Sequence, residues 1–396
     1  MTNRSDVLVV GAGPAGIAAA ITAHRSGLGV RVIDKAVFPR DKCCGDGLTT
    51  GALRLLEQLG LRPDTVASWK TCRDVTLRSP SGREIDVQLP DNGQFAAIAS
   101  RFDLDAAMVN LARDYGIEIS EATSFDGITV RDGDNEVATN RGVIEARVVI
   151  AADGMWSPVR KAVQPERTAY LGEWHALRQY ATNVTGPARE RLFVWFEPEL
   201  LPGYAWSFPL AGSRANLGFG ILRGASQKVG DMKSLWTDVL KRDHVREALG
   251  ADAVIDDKLS AWPIPARVTG STLQHRNVLF VGDAARATDV LTGEGIGQAL
   301  LSGMLAGGAA SRPKPGRAYE RAMHRHFFAD HRMSSVLGRI LANETLARAA
   351  LRVIDGGDWR RDKFARWMFE DEPRAAAFTP RRWHRGFLSS PGAYAR

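Results

Sequence analysis

The sequence predicts an α/β fold with an inserted antiparallel sheet and a C-terminal helical segment. Three observations predict it. An apolar strand, a glycine-rich turn and a helix follow one another within residues 6–34, long strands rich in Trp, Phe and Tyr fill residues 167–262, and the chain beyond Pro313 is Arg-rich and helical in pattern. The predicted units are a first, discontinuous domain (1–66, 97–166 and 269–330), an inserted sheet domain (67–96 and 167–268) and a C-terminal helical, basic segment (331–396).

The first element is a strand followed by a glycine-rich turn. Asp6–Val10 is a short apolar run, typical of a buried parallel strand. The turn that follows has the sequence GAGPAG. Gly11 allows the tight turn, Gly13 lets a pyrophosphate approach the backbone, and Gly16 lets the helix and the strand pack closely.

The helix and second strand that follow complete a nucleotide-binding pattern. Pro14 and Ala15 begin the helix, whose free N–H groups and positive dipole end attract a pyrophosphate. Asp34, beside Lys35, ends the second strand, Val30–Ile33, and its carboxylate can accept hydrogen bonds from ribose hydroxyls. Together these features predict a Rossmann-type dinucleotide site rather than a turn without a ligand.

The remaining elements follow from hydrophobic periodicity and turn residues. In chain order they are a loop over Phe38–Leu48, a helix over Thr49–Leu59, a hairpin of Asp74–Arg78 and Glu84–Leu89, a helix from its cap Asp103 to Tyr115, a strand Ile117–Ser120, a β-meander over 123–150 with turns at Asp132-Gly133 and Arg141-Gly142, one helix over 229–249, a strand Val278–Val281 and a helix Ile296–Ala310.

Three short pieces at strand or helix ends fit a flavin better than a nicotinamide, because only one dinucleotide fingerprint is present. They are a DG pair at 153–154, GDAA at 282–285 and LTGEGI at 291–296. The last begins a helix, whose N-terminus can face the pyrimidine edge of a flavin and stabilise the anionic reduced ring. The residues assigned to the cofactor from these pieces are Asp153, Gly154, Gly282, Asp283, Gly293, Gly295 and Ile296.

In this order, GAGPAG, DG and GDAA resemble the FAD-dependent oxidoreductases of the p-hydroxybenzoate hydroxylase type. Two more motifs are similar to those of the geranylgeranyl reductase family. Pro39–Leu48, PRDKCCGDGL, resembles that family's PxxKxCGxGL loop, and Gly203–Pro209, GYAWSFP, resembles its YxWxFP motif. The resemblance covers roughly 6–310 and includes bacterial enzymes that saturate one double bond in the isoprenoid tail of menaquinone.

The resemblance implies a Rossmann-type FAD-binding domain, p-hydroxybenzoate hydroxylase-like, with the inserted antiparallel sheet as the substrate domain. It also implies that the loop with Cys44, Gly45 and Asp46 lies near the flavin ring, and that Arg101 contacts the cofactor. Arg40 and Lys42 are candidates to meet a pyrophosphate or a quinone oxygen, and we assign Arg40 to the cofactor site. For both arginines the alternative is a solvated surface position.

Alternating aromatic residues predict a substrate wall. Tyr204, Trp206 and Phe208 project from one face of a strand, and Pro209 ends the motif. Three aromatic rings can line an apolar tunnel for a polyprenyl chain, although ordinary core packing would use the same residues. We assign Tyr204, Trp206, Phe208 and Pro209 to substrate binding.

Saturating an isolated alkene requires a hydride on one carbon and a proton on the other. Cys44 is a candidate proton donor or positioning group, and its alternative is a small buried filler. We assign Cys44, Tyr204 and Trp206 to catalysis. The predicted cofactors are FAD and, as transient electron donor, NAD(P)H or another reductant.

The predicted function is therefore a FAD-dependent reductase of a C=C bond in a menaquinone tail, geranylgeranyl diphosphate or another prenyl lipid. A flavin monooxygenase or halogenase shares the fold and cofactor but needs O₂, and WFEP at 195–198 does not match the WxWxIP motif of halogenases. A third hypothesis is a flavoprotein without catalytic activity that binds a lipid or a partner.

The C-terminal segment mixes aromatic and basic residues. From residue 331 to 396 there are 13 Lys/Arg against 7 Asp/Glu, which is most of the net charge of +7. Trp with Arg suits a headgroup interface, and a lipid substrate must be collected from a membrane, so we predict peripheral contact with an anionic membrane. A helical cover over the sheet is the alternative, and nucleic acid is disfavoured because no binding motif is present. The residues involved are Trp359, Phe364, Trp367, Phe369 and Trp383, with Arg360, Arg361, Lys363, Arg366, Arg381 and Arg382.

Composition limits the remaining classes. The chain has 396 residues, of which 44% are hydrophobic, so we expect a packed core and little disorder. The first strand begins almost at Met1, and no apolar run approaches about 18 residues, so we expect neither a signal peptide nor a spanning helix. An odd number of cysteines, Cys43, Cys44 and Cys72, predicts no disulfide framework and no metal site. We therefore expect a cytoplasmic protein, peripheral on the inner face of the cell membrane.

Overall fold

A computed structural model describes residues 4–131, 133–164, 170–380, 383 and 385–395. The strands are β1 (Arg4–Val10), β2 (Val30–Ile33), β3 (Gly47–Thr49), β4 (Lys70–Thr71), β5 (Asp74–Arg78), β6 (Glu84–Gln88), β7 (Ala96–Ile98), β8 (Glu118–Ser120), β9 (Phe125–Thr129), β10 (Asn135–Thr139), β11 (Gly142–Ala151), β12 (Trp174–Thr182), β13 (Leu192–Trp195), β14 (Ala205–Leu210), β15 (Arg214–Leu222), β16 (Val254–Ile255), β17 (Ser260–Ile264), β18 (Gln274–His275) and β19 (Val278–Phe280). The α-helices are α1 (Pro14–Arg25), α2 (Thr50–Leu59), α3 (Arg101–Asp114), α4 (Pro158–Val163), α5 (Met232–Val239), α6 (Asp243–Leu249), α7 (Ile296–Ala310), α8 (Pro315–Leu341), α9 (Glu344–Ile354) and α10 (Asp358–Met368).

The first sheet has the strand order β18-β19-β11-β1-β2-β8, with β1 parallel to both β11 and β2. Val7–Val10 is buried on both faces of the sheet, as its unbroken apolar run predicts. β11 pairs with three strands of this sheet. Its first half pairs antiparallel with β10, and its second half pairs parallel with β1 and β19. The predicted meander over 123–150 is thus confirmed, apart from Asp132, which lies outside the described residues.

Two helices that pack on this sheet, α1 and α7, approach each other closely. α7 lies along α1, and a Cβ placed on Gly303 would be 2.1 Å from the backbone oxygen of Ala15. A Cβ on Gly307 would be 2.4 Å from the backbone oxygen of Ala19. The glycine positions of α7 therefore let the two helix backbones meet directly.

The second sheet has the order β16-β12-β15-β14-β13-β5-β6, with β17 paired to β12. Its strands pair antiparallel except β13 with β5, which are parallel. One face packs against α5 and α6, where Phe219 stacks on Trp236 with ring centroids 5.6 Å apart. The opposite face carries the predicted aromatic residues of β14. A small third sheet, β3-β7-β4, lies after the loop at 38–46.

Several predicted boundaries differ from the structure. α3 begins at Arg101 rather than after Asp103, because the Ser100 hydroxyl is the cap that accepts from the Asp103 N–H. The single helix expected over 229–249 is two short helices, α5 and α6. The loop expected to run to Leu48 ends earlier, because β3 pairs with β7. The predicted domain boundary at 166/167 lies outside the described residues.

The C-terminal segment is helical as predicted and packs between the two sheets. Leu351 of α9 and Ala365 of α10 share an apolar cluster with strands β5 and β6. Asp371, 4% exposed, pairs with Arg54 of α2 at 2.5 Å and with Arg366 at 3.0 Å. Within the part of the chain that the structure describes, no helix is long and apolar enough to cross a membrane.

Candidate active site

A cavity of about 970 Å³ lies between the carboxyl end of the first sheet, one face of the second sheet and the C-terminal helices. The structure places most of the predicted site residues on its wall: Gly11, Gly13, Pro14, Ala15, Asp34, Lys35, Arg40, Cys44, Gly45, Asp46, Arg101, Asp153, Gly154, Tyr204, Trp206, Phe208, Gly282, Asp283, Gly293, Gly295 and Ile296. Gly16 and Pro209 do not line the cavity.

These two exceptions have different reasons. A Cβ on Gly16 would be 1.8 Å from the Gly11 backbone oxygen, so Gly16 acts in helix–strand packing. Pro209 is buried and pairs with Ala215 of β15. Side chains alternate along a strand, so Pro209 faces away from the cavity. We therefore remove Pro209 from the predicted substrate contacts.

The glycine turn has the geometry of a pyrophosphate cradle. Gly11 has a φ of +105°, and a Cβ there would be 2.4 Å from the Ala152 backbone oxygen. Gly13 precedes α1, and no side chain caps the N–H groups of that helix end. Asp34 holds the turn against β2, because its carboxylate accepts hydrogen bonds from the N–H groups of Ala12 at 2.7 Å and Ala36 at 2.8 Å.

Two arginines stand beside Gly13. A Cβ on Gly13 would be 3.6 Å from Nη2 of Arg40 and 3.9 Å from Nη2 of Arg101. The buried Asp105 carboxylate positions both: Arg101 donates two bonds of 2.7 Å to it, and Arg40 lies 3.0 Å away. One carboxylate and two guanidinium groups leave a positive charge at the glycine turn, which suits a pyrophosphate. The surface alternative for Arg101 is wrong, because it is 5% exposed.

The strand-end carboxylates face the same cavity. Asp153 caps α4 through the Val159 N–H at 2.9 Å, whereas its Oδ1 is buried without a hydrogen-bond partner among the described residues. Burial raises the pKa of Asp153 to about 6. Asp283 pairs with Lys42 at 3.1 Å. An unpartnered buried acceptor at the cavity wall fits a ligand that brings hydroxyl donors, as the ribose and ribityl groups of FAD would.

The loop at 43–46 is tied to the second sheet by a hydrogen-bond network that sequence reasoning missed. Asp46 is fully buried, and its Oδ2 accepts from the Tyr180 hydroxyl and from Nδ2 of Asn216, both at 2.8 Å. Asn216 also donates to the Cys44 carbonyl at 2.9 Å and accepts from Nε1 of Trp206 at 3.0 Å. Asn216 therefore connects the loop to the aromatic wall.

Burial also sets the acidities in this loop. It raises the pKa of Asp46 to about 6, even though Tyr180 and Asn216 oppose the shift. Burial and the Asp46 charge raise the pKa of the Cys44 thiol above its ordinary value. The thiol therefore keeps its proton at neutral pH and is a weak acid.

The aromatic wall is continuous. Ring centroids are 6.1 Å apart for Tyr204 and Trp206 and 5.9 Å apart for Trp206 and Phe208. The Tyr204 hydroxyl donates to the Thr292 carbonyl, which joins the wall to the LTGEGI piece. Gly218 lies opposite Trp206, and a Cβ there would be 2.3 Å from the indole ring. A side chain at that position would displace the ring from the cavity.

The C-terminal helices supply the apolar wall facing these rings. Residues of α8, α9 and α10 and of the turn after α10 line the same cavity: Leu337, Ile340, Leu341, Ala347, Ala350, Leu351, Ile354, Phe364, Trp367, Met368 and Phe369. The cavity thus continues from the glycine turn into an apolar extension.

This packing changes the prediction that the aromatic residues of the C-terminal segment contact a membrane. Phe364, Trp367 and Phe369 line the cavity, and Arg366 is buried at 5% exposure, so these residues are part of a helical cover. Trp359 and Trp383 are 73% and 55% exposed. Arg381 and Arg382 lie outside the described residues.

A second missed feature is a cluster of ionisable groups where α7 begins, formed by the buried Asp289 and Arg374 and the half-buried Glu294 and Glu370. Arg374 lies 3.5 Å from Asp289 and donates to Glu370 at 3.2 Å. Burial raises the pKa of Asp289, but the Arg374 charge and hydrogen bonds from Ser334 and Thr292 hold it below its usual range. Burial and the Glu370 charge raise the pKa of Glu294 to about 8.

The sequence signals that point to the missed residues differ from one residue to another. Glu294 stood inside LTGEGI, but only the glycines and the isoleucine were assigned. Asn216 lies inside β15, whose glycines Gly218 and Gly220 are the more visible feature of its sequence. Arg374 and Glu370 belong to a segment without a motif, so no local pattern pointed to them. Among the described residues no group of three or more His, Cys, Asp or Glu is arranged to hold a metal ion.

Comparisons with known proteins agree with this site. The sequence profile described as FAD binding domain matches residues 4–305. A menaquinone reductase of Mycolicibacterium smegmatis is 35% identical over 331 residues, covering 77% of this chain and 76% of that protein. A digeranylgeranylglycerophospholipid reductase of Methanosarcina mazei is 29% identical over 321 residues, covering 78% and 76%. The solved structure of a geranylgeranyl bacteriochlorophyll reductase-like protein from Thermoplasma acidophilum matches with a TM-score of 0.77 at 21% identity, over 96% of this chain and 99% of that one.

Proposed function

Because the chain belongs to the geranylgeranyl reductase family of FAD-dependent oxidoreductases, we propose that it saturates a C=C bond in an isoprenoid chain. The substrate classes that we propose are a menaquinone tail, geranylgeranyl diphosphate or another prenyl lipid. The relatives named as menaquinone and digeranylgeranylglycerophospholipid reductases support a long prenyl chain.

One observation carries the proposal: the cofactor end and the apolar extension are a single cavity of about 970 Å³. A polar end with glycines, arginines and carboxylates suits FAD. An extension lined by aromatic and aliphatic side chains suits a polyprenyl chain, which has no polar groups to satisfy. A small polar aromatic substrate would not need so long an apolar wall.

When bound, FAD supplies the hydride that one alkene carbon receives. The glycine turn, Arg40 and Arg101 would hold the pyrophosphate of FAD, and Asp34, Asp153 and Asp283 would accept hydrogen bonds from its sugar hydroxyls. Tyr204, Trp206 and Phe208 position the alkene and exclude water. Cys44 lies in the loop that Asn216 ties to this wall, and its thiol keeps its proton at neutral pH. NAD(P)H or another reductant supplies the electrons in this proposal.

A flavin monooxygenase or halogenase is the alternative with the same fold. The observation that disfavours it is the apolar cover from α8 to α10, which extends the cavity with aliphatic and aromatic side chains. Its reduced flavin would react with O₂ and would not transfer a hydride to a prenyl compound.

The site where a lipid would enter is the face formed by the exposed apolar residues of α8, α9 and the start of α10, which we call the α8–α9 apolar face: Val336, Ile340, Leu346, Val353 and Trp359. The same helices carry cavity-lining residues such as Ile340 and Ile354. Arg348 and Arg352 of α9 add positive charge beside it. This combination of apolar surface and arginine supports peripheral contact with an anionic membrane.

The experiment is an anaerobic single turnover. The purified FAD-loaded protein is reduced with dithionite, freed of excess reductant and mixed with geranylgeranyl diphosphate or menaquinone. We expect reoxidation of the flavin absorbance and a gain of two hydrogens in the prenyl chain by mass spectrometry. Reoxidation by O₂ alone, with every prenyl compound inert, would exclude the reductase.

A pair of variants tests the aromatic wall in the same assay. Trp206→Ala removes the central ring, so we expect a KM for the prenyl compound raised about tenfold or more with FAD still bound. Phe102→Ala, at an exposed position on α3, is the matched control and should behave as wild type.

A further inference from the structure

The ionisable cluster at the start of α7 includes a carboxyl group, that of Glu294, which lies within the LTGEGI piece but is assigned neither to the cofactor nor to the aromatic wall. It consists of Asp289, Glu294, Glu370 and Arg374, and Glu294 and Arg374 face the cavity. Three carboxyl groups share this enclosed space with one guanidinium. Asp289 is buried, Glu294 and Glu370 are half-buried, and a single guanidinium cannot neutralise three carboxylates, so at least one carboxyl group keeps its proton.

Hydrogen-bond donors indicate which carboxyl group is protonated. Asp289 accepts from the N–H groups of Leu291 and Thr292 and from the Ser334 hydroxyl at 2.6 Å. Donors stabilise the charged form of a carboxyl group, so Asp289, beside Arg374, is the ionised member.

Glu370 is also supplied with side-chain donors. It accepts from Thr49 at 3.3 Å, Gln298 at 3.0 Å and Arg374 at 3.2 Å. Glu294, by contrast, accepts from the Gly297 N–H at 2.8 Å, and its donors among the described residues are backbone groups. The proton of the cluster therefore belongs on Glu294.

Glu294 is also the member of the cluster that reaches the predicted catalytic residues. It lines the same cavity as Cys44 and Tyr204, and the Tyr204 hydroxyl donates to the carbonyl of Thr292, two residues before Glu294. Among the described residues, the other titratable groups that face the cluster are Asp330, whose charge acts on Arg374, and His331, whose pKa burial lowers. Cys44 holds its proton more tightly than a free thiol, so it is the weaker acid of the two.

We propose that Glu294 is the catalytic acid of the alkene reduction, and this inference rests on the proposed function. The alkene π bond is lost and two C–H bonds form. One takes the hydride, with its two electrons, from reduced FAD, which is oxidised; the other takes the proton of the Glu294 carboxyl group. Glu294 is left as a carboxylate that accepts from the Gly297 N–H at the start of α7, and it regains a proton from solvent.

The first test measures the proton directly and needs no substrate. Infrared titration of the FAD-loaded protein should show a protonated carboxyl band that disappears as the pH rises through about 8. The band should be absent from Glu294→Gln, in which the amide oxygen can still accept from Gly297. It should persist in Glu247→Gln, which removes an exposed carboxyl group of α6.

The second test uses the anaerobic single turnover. Glu294→Gln should slow reoxidation of the reduced flavin by the prenyl compound about 10²- to 10³-fold, as loss of a general acid does, with FAD affinity unchanged. The wild-type rate should be constant below pH 8 and fall above it. Glu370→Gln removes the neighbouring negative charge, so it should move this fall to lower pH.

The two proposals fail differently. If the flavin of wild type and of all variants stays reduced when the prenyl compound is added, the reductase function is wrong, and the proposed catalytic role of Glu294 is wrong as well. If wild type reduces the prenyl compound and Glu294→Gln does so at the wild-type rate, the function stands and the inference is overturned. A wild-type protein without the titrating band would also overturn it.

Discussion

Asp46 illustrates how one side chain joins distant parts of this site. Its backbone has a φ of +63°, and its carboxyl group accepts from Tyr180 and Asn216 across more than a hundred residues of sequence. The loop at 43–46 is held against the second sheet by these bonds. The charged form of Asp46 is nevertheless costly, because the side chain is fully buried.

The first prediction concerns the stability contributed by Asp46. Its pKa rises from 3.8 unfolded to about 6 folded, so its stabilising contribution is present below pH 3.8 and is lost as the pH rises through about 6. That difference corresponds to about 3 kcal/mol. Asp46→Asn tolerates the positive φ and cannot ionise, so its free energy of unfolding should lack this decline between about pH 4 and pH 7.

Urea unfolding at several pH values measures the effect. Asp114→Asn, which changes an exposed residue of α3, should retain the wild-type pH dependence. Parallel curves for wild type and Asp46→Asn would contradict the prediction.

The second prediction concerns Arg40. Arg101 already satisfies Asp105 with two hydrogen bonds, so Arg40→Ala leaves the buried carboxylate paired. The variant loses one positive charge at the glycine turn, and we expect about tenfold weaker FAD binding, with the largest difference at low salt. Titration of the FAD-free protein with FAD, followed by flavin fluorescence, measures the dissociation constant. Arg31→Ala on β2 is the control, and an unchanged affinity in Arg40→Ala would be inconsistent with a pyrophosphate beside it.

At the scale of elements, the contact between α1 and α7 positions two parts of the site. α1 begins at the pyrophosphate turn, and α7 begins at the LTGEGI piece. Because Gly303 and Gly307 let the backbones touch, the two helix starts are held at a fixed separation. These two glycines therefore influence the geometry of the cofactor site, although they do not line the cavity.

The third prediction compares glycines of α7. Gly303→Ala forces a Cβ against the Ala15 backbone oxygen, so we expect a loss of about 1–3 kcal/mol in the free energy of unfolding and weaker FAD binding. Gly308→Ala is the matched control, since nothing lies within 4 Å of its Cβ position. It should stabilise the protein by up to about 1 kcal/mol through helix propensity. Equal effects of the two substitutions in chemical denaturation would contradict the packing argument.

At the scale of the whole molecule, the cavity is closed by a segment that follows the family motifs. α8 to α10 turn apolar side chains inward onto the aromatic wall and others outward on the α8–α9 apolar face. In the proposed function, one set of helices would accept a lipid chain from a membrane on its outer side and hold the chain on its inner side.

The fourth prediction concerns that face. Replacing both Leu346 and Val353 with Asp should weaken binding to vesicles of phosphatidylglycerol and phosphatidylcholine about tenfold, because apolar area is lost and negative charge is added. Wild-type binding should also weaken as salt increases. Val254→Asp, at an exposed apolar residue of β16, is the control in a co-sedimentation assay. Binding that is equal for all proteins would exclude this face.

The sequence alone determined the elements whose signals are local. β2 and α7 have the predicted bounds, because a buried strand and a glycine-rich helix are specified by the residues within them. The cofactor motifs were recognisable for the same reason, since each places its residues in one turn or at one strand end. The resemblance then identified the family, and the matching profile confirms the predicted FAD-binding α/β fold.

Tertiary structure alone decided which distant side chains share a proton or a hydrogen bond. Asn216 meets Asp46, and Glu294 meets Glu370, only after the second sheet and the C-terminal segment pack on the first domain. Likewise, Phe364 and Trp367 point into the cavity, although their arginine neighbours suggested a surface. Local pattern specifies the type of element and its apolar face, but the partner of that face is chosen by packing of the whole chain.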